Sequence, residues 1–300
     1  MGLREFLAAD RPARVAVAQA AHRETLATVH EALAAKIAEV VLIGDAELIK
    51  RTADEYHFDI TGSDIIDEAD EQNIALIAAG LARDGEVQAV MKGNIHTSVF
   101  TRALLDSSMD LIDSGGVISH VSLFGLPGYP KPLFLTDCAV NIKPDLTRKI
   151  GILRNAITAA RRMGIAIPKV ACIAPVESVN EKIESTVHAR DLVMMQEREH
   201  CFGDVVLEGP LALDGALSRD AAQVKGIESA VAGDADILLF PNLDAGNGVY
   251  KALALFGGAE HAGILAGLKV PAVLTSRSDN AHTRLLSLRF ALCTSAAQAH

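Results

Sequence analysis

Short apolar runs alternate with amphipathic stretches along most of the chain. RVAVA at residues 14–18 and VVLIG at 40–44 read as strands, with residues 25–36 and 46–55 as the helices that follow them. This is the rhythm of βαβ units, whose parallel strands, buried on both faces, are aliphatic throughout instead of alternating with polar residues. An extended DIT segment at 59–61 precedes a helix over 68–83 that carries Ile74, Ile77 and Leu81 on one face, and residues 87–91 form the next strand. That strand runs into Lys92, Gly93 and Asn94 at a strand-to-helix turn. Thr97 or Ser98 can then cap a helix that places Arg102 one turn in.

Between residues 107 and 132 the rhythm breaks. Gly115 and Gly116 precede the apolar VISHVSLFG, and GLPGYPKP then packs prolines and glycines into a segment that marks a connector or a hairpin-like excursion, near which a domain boundary is expected. Alternation resumes with LFLTD, a helix over 146–163 ending at Gly164, the strand KVACIA stopped by Pro175, and a helix over 185–200. VVLEGP, a helix over 220–231, DILLFP, a helix over 247–256 and the apolar run AGILAG complete this half. In the last crossover, residues 271–275 run as a strand into Ser276 and Arg277, and Leu285, Leu286 and Phe290 then recur at helical spacing.

At 300 residues the chain is longer than one core usually serves, so two domains or one large α/β domain are expected. Half of it is hydrophobic, with no tryptophan and few aromatics, which calls for an aliphatic core. The formal net charge of −10 argues against nucleic acid or an anionic membrane as a general partner, so an anionic substrate needs local cations. Cys138, Cys172, Cys201 and Cys293 form no CxxC pair and read as reduced thiols of a cytoplasmic protein. No signal-peptide core and no run approaching 18 apolar residues is evident.

Ligands of open α/β sheets bind beyond the carboxyl ends of the strands, where helix N-termini gather anions. Polar groups fall at such ends repeatedly: Lys92, Asn94 and His96; Thr136 and Asp137; Glu208 with Asp214; Asn242, Asp244 and Asn247; and Ser276, Arg277 and Asp279. Each alone also fits a cap or a turn. There is no GxxxxGK[ST], HExxH or GxSxG motif, the GxG of Gly246 and Gly248 lacks its third glycine, and Glu197 with His200 forms only a single ExxH.

Six blocks in order resemble the phosphate acetyl/butyryltransferases, or phosphotransacetylases: VMKGNIHTSVFTRALLD, ISHVSLFGLPGYPKPLFLTDCAVNIKPDL, IPKVACIAPVESVNEKIESTVHARDL, VVLEGPLALDGALS, AGDADILLFPNLDAGNGVYKAL and PAVLTSRSDNAHTRLLSL. HVSLF and EGPLALD are closer to the butyryl branch. The resemblance implies reversible acyl transfer between coenzyme A and inorganic phosphate, with coenzyme A as substrate and no metal or redox cofactor. It also implies a fold related to isocitrate and isopropylmalate dehydrogenases, with two three-layer α/β/α domains facing a cleft. These are residues 1–128 with the returning helix at 274–300, and residues 129–273. Homodimers or larger homo-oligomers are expected.

The resemblance places the family's Ser-Arg pair on Ser276 and Arg277 and a further arginine on Arg102. The family's catalytic aspartate falls on Thr283 without gaps, so Asp279 stands in as the base, with Asp214 and His282 as alternatives. A second arginine of the acetyl branch has no counterpart, since residues 103–147 contain none. Lys92, Asn94, His96, Thr136, Asp214, Asn242, Asp244 and Asn247 complete the expected substrate-binding set. A metal- and nicotinamide-dependent dehydrogenase on the related fold, and a non-catalytic acyl-CoA or acyl-phosphate sensor, remain as alternatives.

Overall fold

The structure, a computed structural model, describes residues 2–7, 13–113, 115–274 and 279–295. In chain order the elements are α1 (Leu3–Phe6), β1 (Ala13–Ala18), α2 (Arg23–Ala34), β2 (Ala38–Gly44), α3 (Ala46–Glu55), β3 (Asp64–Asp67), α4 (Glu71–Arg83), β4 (Ala89–Lys92) and α5 (Thr97–Leu104). The central stretch holds β5 (Ser119–Gly125), β6 (Leu133–Thr136), α6 (Leu146–Arg162), β7 (Lys169–Ile173), α7 (Glu184–Glu199), β8 (Val206–Leu211), α8 (Leu213–Leu217), α9 (Arg219–Val224), β9 (Ile237–Leu239) and α10 (Leu243–Phe256). β10 (Glu260–Ala266), β11 (Ala272–Val273) and α11 (Ala281–Thr294) follow.

By its contacts the chain divides into two compact units, Leu7–Gly116 with Ala262–His300, and Met1–Phe6 with Val117–His261. The sequence boundaries at 128/129 and 273/274 lie downstream of both divisions. In the first unit the strand order is β3-β2-β1-β4-β11-β10. Pairing is parallel from β3 to β11, while β10 runs antiparallel to β11. All four residues of β4 and the last four of β1 are buried, which explains their unbroken aliphatic sequence. α11 packs on α2 and β11 and is buried nearly all round from Arg284 to Leu292. Helices hydrophobic on every side belong inside a domain; this one also carries Arg284 and Arg289 inward, which its apolar spacing did not announce.

In the second unit the order is β5-β6-β9-β7-β8. The Gly/Pro-rich excursion is a true antiparallel pair, β5 against β6, and the remaining pairings are parallel. Phe124, Leu133, Leu135, Ala171, Leu238 and Phe240 are among its buried core residues. Two local expectations shift. The helix expected over 220–231 is the shorter α9, because Ser218 caps its start by accepting from the Ala221 N–H and Gly226 leaves the helical region at φ 65°. α10 begins four residues before the apolar pattern does, because the Asn242 side chain accepts from the Ala245 N–H at 3.0 Å.

Candidate active site

At the carboxyl edge of the first unit, β1 and β4 end together. The Gly93 N–H donates to the Ala18 carbonyl at 2.8 Å and the Asn94 N–H to that of Gln19 at 2.9 Å. Lys92 is 5% exposed, and its Nζ donates to the Gly93 carbonyl at 3.3 Å. The Asn94 side chain is exposed. His96 precedes α5 and is held by α4: the Glu71 carboxylate accepts from its main-chain N–H at 2.6 Å and lies 2.8 Å from its Nδ1. The main-chain N–H is the larger cause that keeps Glu71 below the ordinary carboxylate range. α5 turns Phe100, Ala103 and Leu104 into the core and leaves Arg102 on its exposed side.

β11 runs beside β4 with Val273 opposite Met91, so Leu274 arrives level with the end of β4. Ser276 and Arg277 lie outside the described residues. Beyond them, the Asp279 carbonyl accepts from Arg284 Nε at 3.1 Å, and Arg284 is only 5% exposed. Thr283, where the family's aspartate aligns, gives its N–H to the Asn280 side chain at 2.9 Å. Sequence reasoning missed Arg284 and also His22, at the corner after β1. The signal for His22 was the repeated pattern itself, a strand followed by a polar residue and a helix.

The second unit gathers its polar residues differently. Asp137, 3% exposed at the end of β6, accepts from the main-chain N–H groups of Ala139, Val140 and Asn141 and, at 2.6 Å, from Asn141 Nδ2. Arg148, on the first turn of α6, reaches Asn141 Oδ1 at 3.3 Å. Thr136 Oγ1 donates to the His120 carbonyl, and Asn247 Nδ2 to the Cys138 carbonyl, each at 2.9 Å. A Cβ on Gly246 would fall 2.3 Å from the Asp137 carbonyl, so glycine there lets α10 lie against the loop after β6. Thr136, Asn242 and Asn247 are therefore brought together, and their side chains bind main chain; they set the shape of this rim. Asp244 is exposed in the first turn of α10.

Asp214 stands apart from that group in its bonding. Lys225 Nζ lies 2.8 Å from its carboxylate and 2.7 Å from Glu177, and the Lys225 hydrogen bond is the largest cause holding Asp214 below its ordinary range. A carboxylate so satisfied is a weak proton acceptor. A buried lysine lies further along α6. Lys149 Nζ is 2.9 Å from His188 Nδ1, and burial pushes the Lys149 amine down and the neighbouring Cys172 thiol up to about 12.

Cys138 is fully buried, and burial first, then Asp137, push its thiol up. Since the thiolate is the nucleophile, this cysteine is not equipped to carry an acyl group. Cys138→Ser is expected to keep activity within a few-fold, and intact-mass spectrometry of the wild type with acyl phosphate alone is expected to show no adduct on the Cys138 peptide. An acylated Cys138 would reverse this reading.

The two α/β units, with polar groups gathered at the carboxyl ends of their strands, have the fold of solved phosphotransacylases. A branched-chain phosphotransacylase from Enterococcus faecalis V583 superimposes with a TM-score of 0.84 at 33% identity, covering 94% of this chain and 98% of that one. A phosphotransacetylase from Streptococcus pyogenes shares the fold at a TM-score of 0.81 and 21% identity, covering 97% of this chain and 96% of that one. The phosphate acetyl/butaryl transferase family matches residues 71–288, and the chain belongs to it. The phosphate butyryltransferase of Clostridium beijerinckii is 39% identical over 283 residues, 94% of this chain and 93% of its own length. The phosphate acetyltransferase of Rhizobium meliloti is 39% identical over 279 residues, 93% and 88% respectively.

Proposed function

We propose that this chain catalyses the reversible transfer of an acyl group between coenzyme A and inorganic phosphate: acyl-CoA plus phosphate gives acyl phosphate plus CoA. Membership of the family supports the reaction. The observation in the structure that carries it is the rim of the first unit, where Lys92 at the end of β4 and Arg284 in the first turn of α11 are both buried in a protein of net charge −10. Cations at a strand end suit anionic ligands, and both substrates carry phosphate.

In this reading Arg277 and Arg102 grip phosphoryl oxygens, Ser276 holds the sulfur as charge develops, and Lys92 adds positive potential behind them. Asn94 and His96 border the rim, while Thr136, Asn242 and Asn247 shape the second unit's turn and Asp244 lies beside it. A free thiol with a pKa of about 8.5 is only a few per cent thiolate at neutral pH, so a proton acceptor is needed. Both substrates bind before chemistry in a ternary complex, which supplies rate through positioning, and no metal or redox cofactor takes part. With this reading go the isocitrate- and isopropylmalate-dehydrogenase-like fold, a cytoplasmic setting and assembly into homodimers or larger homo-oligomers, each resting on the family resemblance.

The test is thiol consumption with CoA and a panel of acyl phosphates from acetyl to branched-chain. Turnover with at least one member, weakened by added salt because the cations are screened, is the expected result. Binding without turnover would favour a sensor, and reduction of NAD with a hydroxy acid would favour a dehydrogenase.

A further inference from the structure

His22 occupies the corner after β1, one strand over from the end of β4. It directly precedes α2 in an extended conformation, φ −151° and ψ 138°, and its side chain makes no capping hydrogen bond. Cap positions favour Ser, Thr, Asp and Asn, whose oxygens accept from the first N–H groups, so the imidazole does not serve the helix. One turn in, Thr25 is fully buried with no partner for its hydroxyl, a second sign that polarity at this corner is not consumed by the fold.

The charges that act on the half-buried ring come from three elements: Glu24 of its own helix, Lys92 of β4 and Arg284 of α11. Burial first, then Arg284, with Lys92 adding to them against Glu24, holds the imidazole below its ordinary value of 6.5. At neutral pH the ring is therefore uncharged and has a lone pair to offer. Asp279 acts on Arg284 as well, since its carbonyl accepts from that guanidinium and its charge favours it.

We propose that His22 is the general base of the acyl transfer, taking the thiol proton of coenzyme A as the sulfur attacks the carbonyl carbon of acyl phosphate. The inference rests on the acyl-transfer reading. The S–C bond forms and the bond from carbon to phosphate oxygen breaks; the proton passes from sulfur to the ring and then to the departing phosphate, which leaves as hydrogen phosphate. Nothing is oxidised or reduced. Lys92 and Arg284 serve twice, keeping the ring neutral in the empty site and attracting the phosphoryl group. Once that dianion is bound, its charge offsets theirs and the ring becomes a stronger base when a proton must be accepted. Asp279 is then a positioning residue that acts through Arg284.

The experiment compares wild type, His22→Gln, His22→Asn and Asp279→Asn in steady-state turnover of butyryl phosphate with CoA from pH 5 to 9, with thermal melts to confirm folding. In the wild type the acid limb of kcat/KM, which reports the free enzyme, should lie below that of kcat, which reports the bound complex. Both His22 variants should melt near the wild type, lose roughly a hundredfold or more in kcat with KM changed only a few-fold, and lose the acid limb. Asp279→Asn should keep the limb. An independent reading is the NMR titration of the His22 ring, assigned by its disappearance in His22→Gln, which should shift upward on adding inorganic phosphate. Retained kcat or a retained acid limb in the His22 variants overturns the proposal, as does a ring titration that ignores phosphate. A wild type that turns over no acyl phosphate overturns the acyl-transfer reading itself, and is told apart by being inactive before any substitution.

Discussion

Gly93→Ala is expected to lower the melting temperature and the activity together. A Cβ at this position would lie 2.2 Å from the carbonyl oxygen of Gln19 and 2.7 Å from that of Ala18. Both obstacles are main chain, so no side chain can swing aside. The corner is also tied, because the N–H of Gly93 donates to Ala18 and that of Asn94 to Gln19. Accommodating a methyl group requires the ends of β1 and β4 to part, which breaks those bonds as well as overpacking the junction. Overpacking typically costs 1–3 kcal/mol and each lost hydrogen bond about 1, so about 3 kcal/mol is a fair expectation. For a chain of this size that corresponds to a drop of roughly 5 °C. Activity should fall with it, because Lys92 and His22 stand on the two strand ends that would separate. Gly80→Ala is the control: it lies inside α4 with nothing within 4 Å of its Cβ position, and helix interiors favour alanine over glycine by about 1 kcal/mol. If Gly93→Ala melted like Gly80→Ala, the close approach of these strand ends would not exist.

The contrast between these two glycines shows what could be read from the chain and what could not. Aliphatic runs such as VVLIG and LFLT announced strands because parallel strands are buried on both faces, and burial needs no knowledge of the partner. Strand-end logic likewise placed Lys92 and Thr136 at carboxyl ends. Which strand ends meet is a different matter, since β4 lies between β1 and β11 and no local pattern encodes that order. The charge of Arg284 acts on His22 across nearly the full length of the sequence, and each alone looks like an ordinary surface residue beside a helix. The same limit applied to Asp214: its position after a strand suggested a role with ligand, whereas the Lys225 and Glu177 that surround it come from segments whose meeting is a product of the fold. Thr136 and Asn247 show a subtler version, in which the strand-end placement holds but their side chains are spent on main-chain carbonyls. Polarity at a strand end therefore placed these residues at the carboxyl edges without separating groups that hold the turn from groups left open to solvent.

Arg277→Ala is expected to remove most turnover while leaving the protein folded. The argument begins with sequence position: Arg277 follows β11, which pairs with β4 so that Val273 faces Met91, the residue before buried Lys92. A guanidinium offers a planar pair of donors that match phosphoryl oxygens and, in the transition state, the developing oxyanion. Removing one such donor costs about 3 kcal/mol in the barrier, on the order of a hundredfold in rate. Arg277→Lys should fall between wild type and alanine, because the charge remains while the two-pronged geometry is lost. The measurement is kcat/KM in both directions, accompanied by a thermal melt, and near-normal turnover in a folded Arg277→Ala would take this residue out of the mechanism. The double variant with His22→Gln sharpens the result. Groups that act on one transition state lose their effects together, so the pair should be little worse than the poorer single variant, whereas fully multiplicative losses would assign the arginine and the histidine to separate steps.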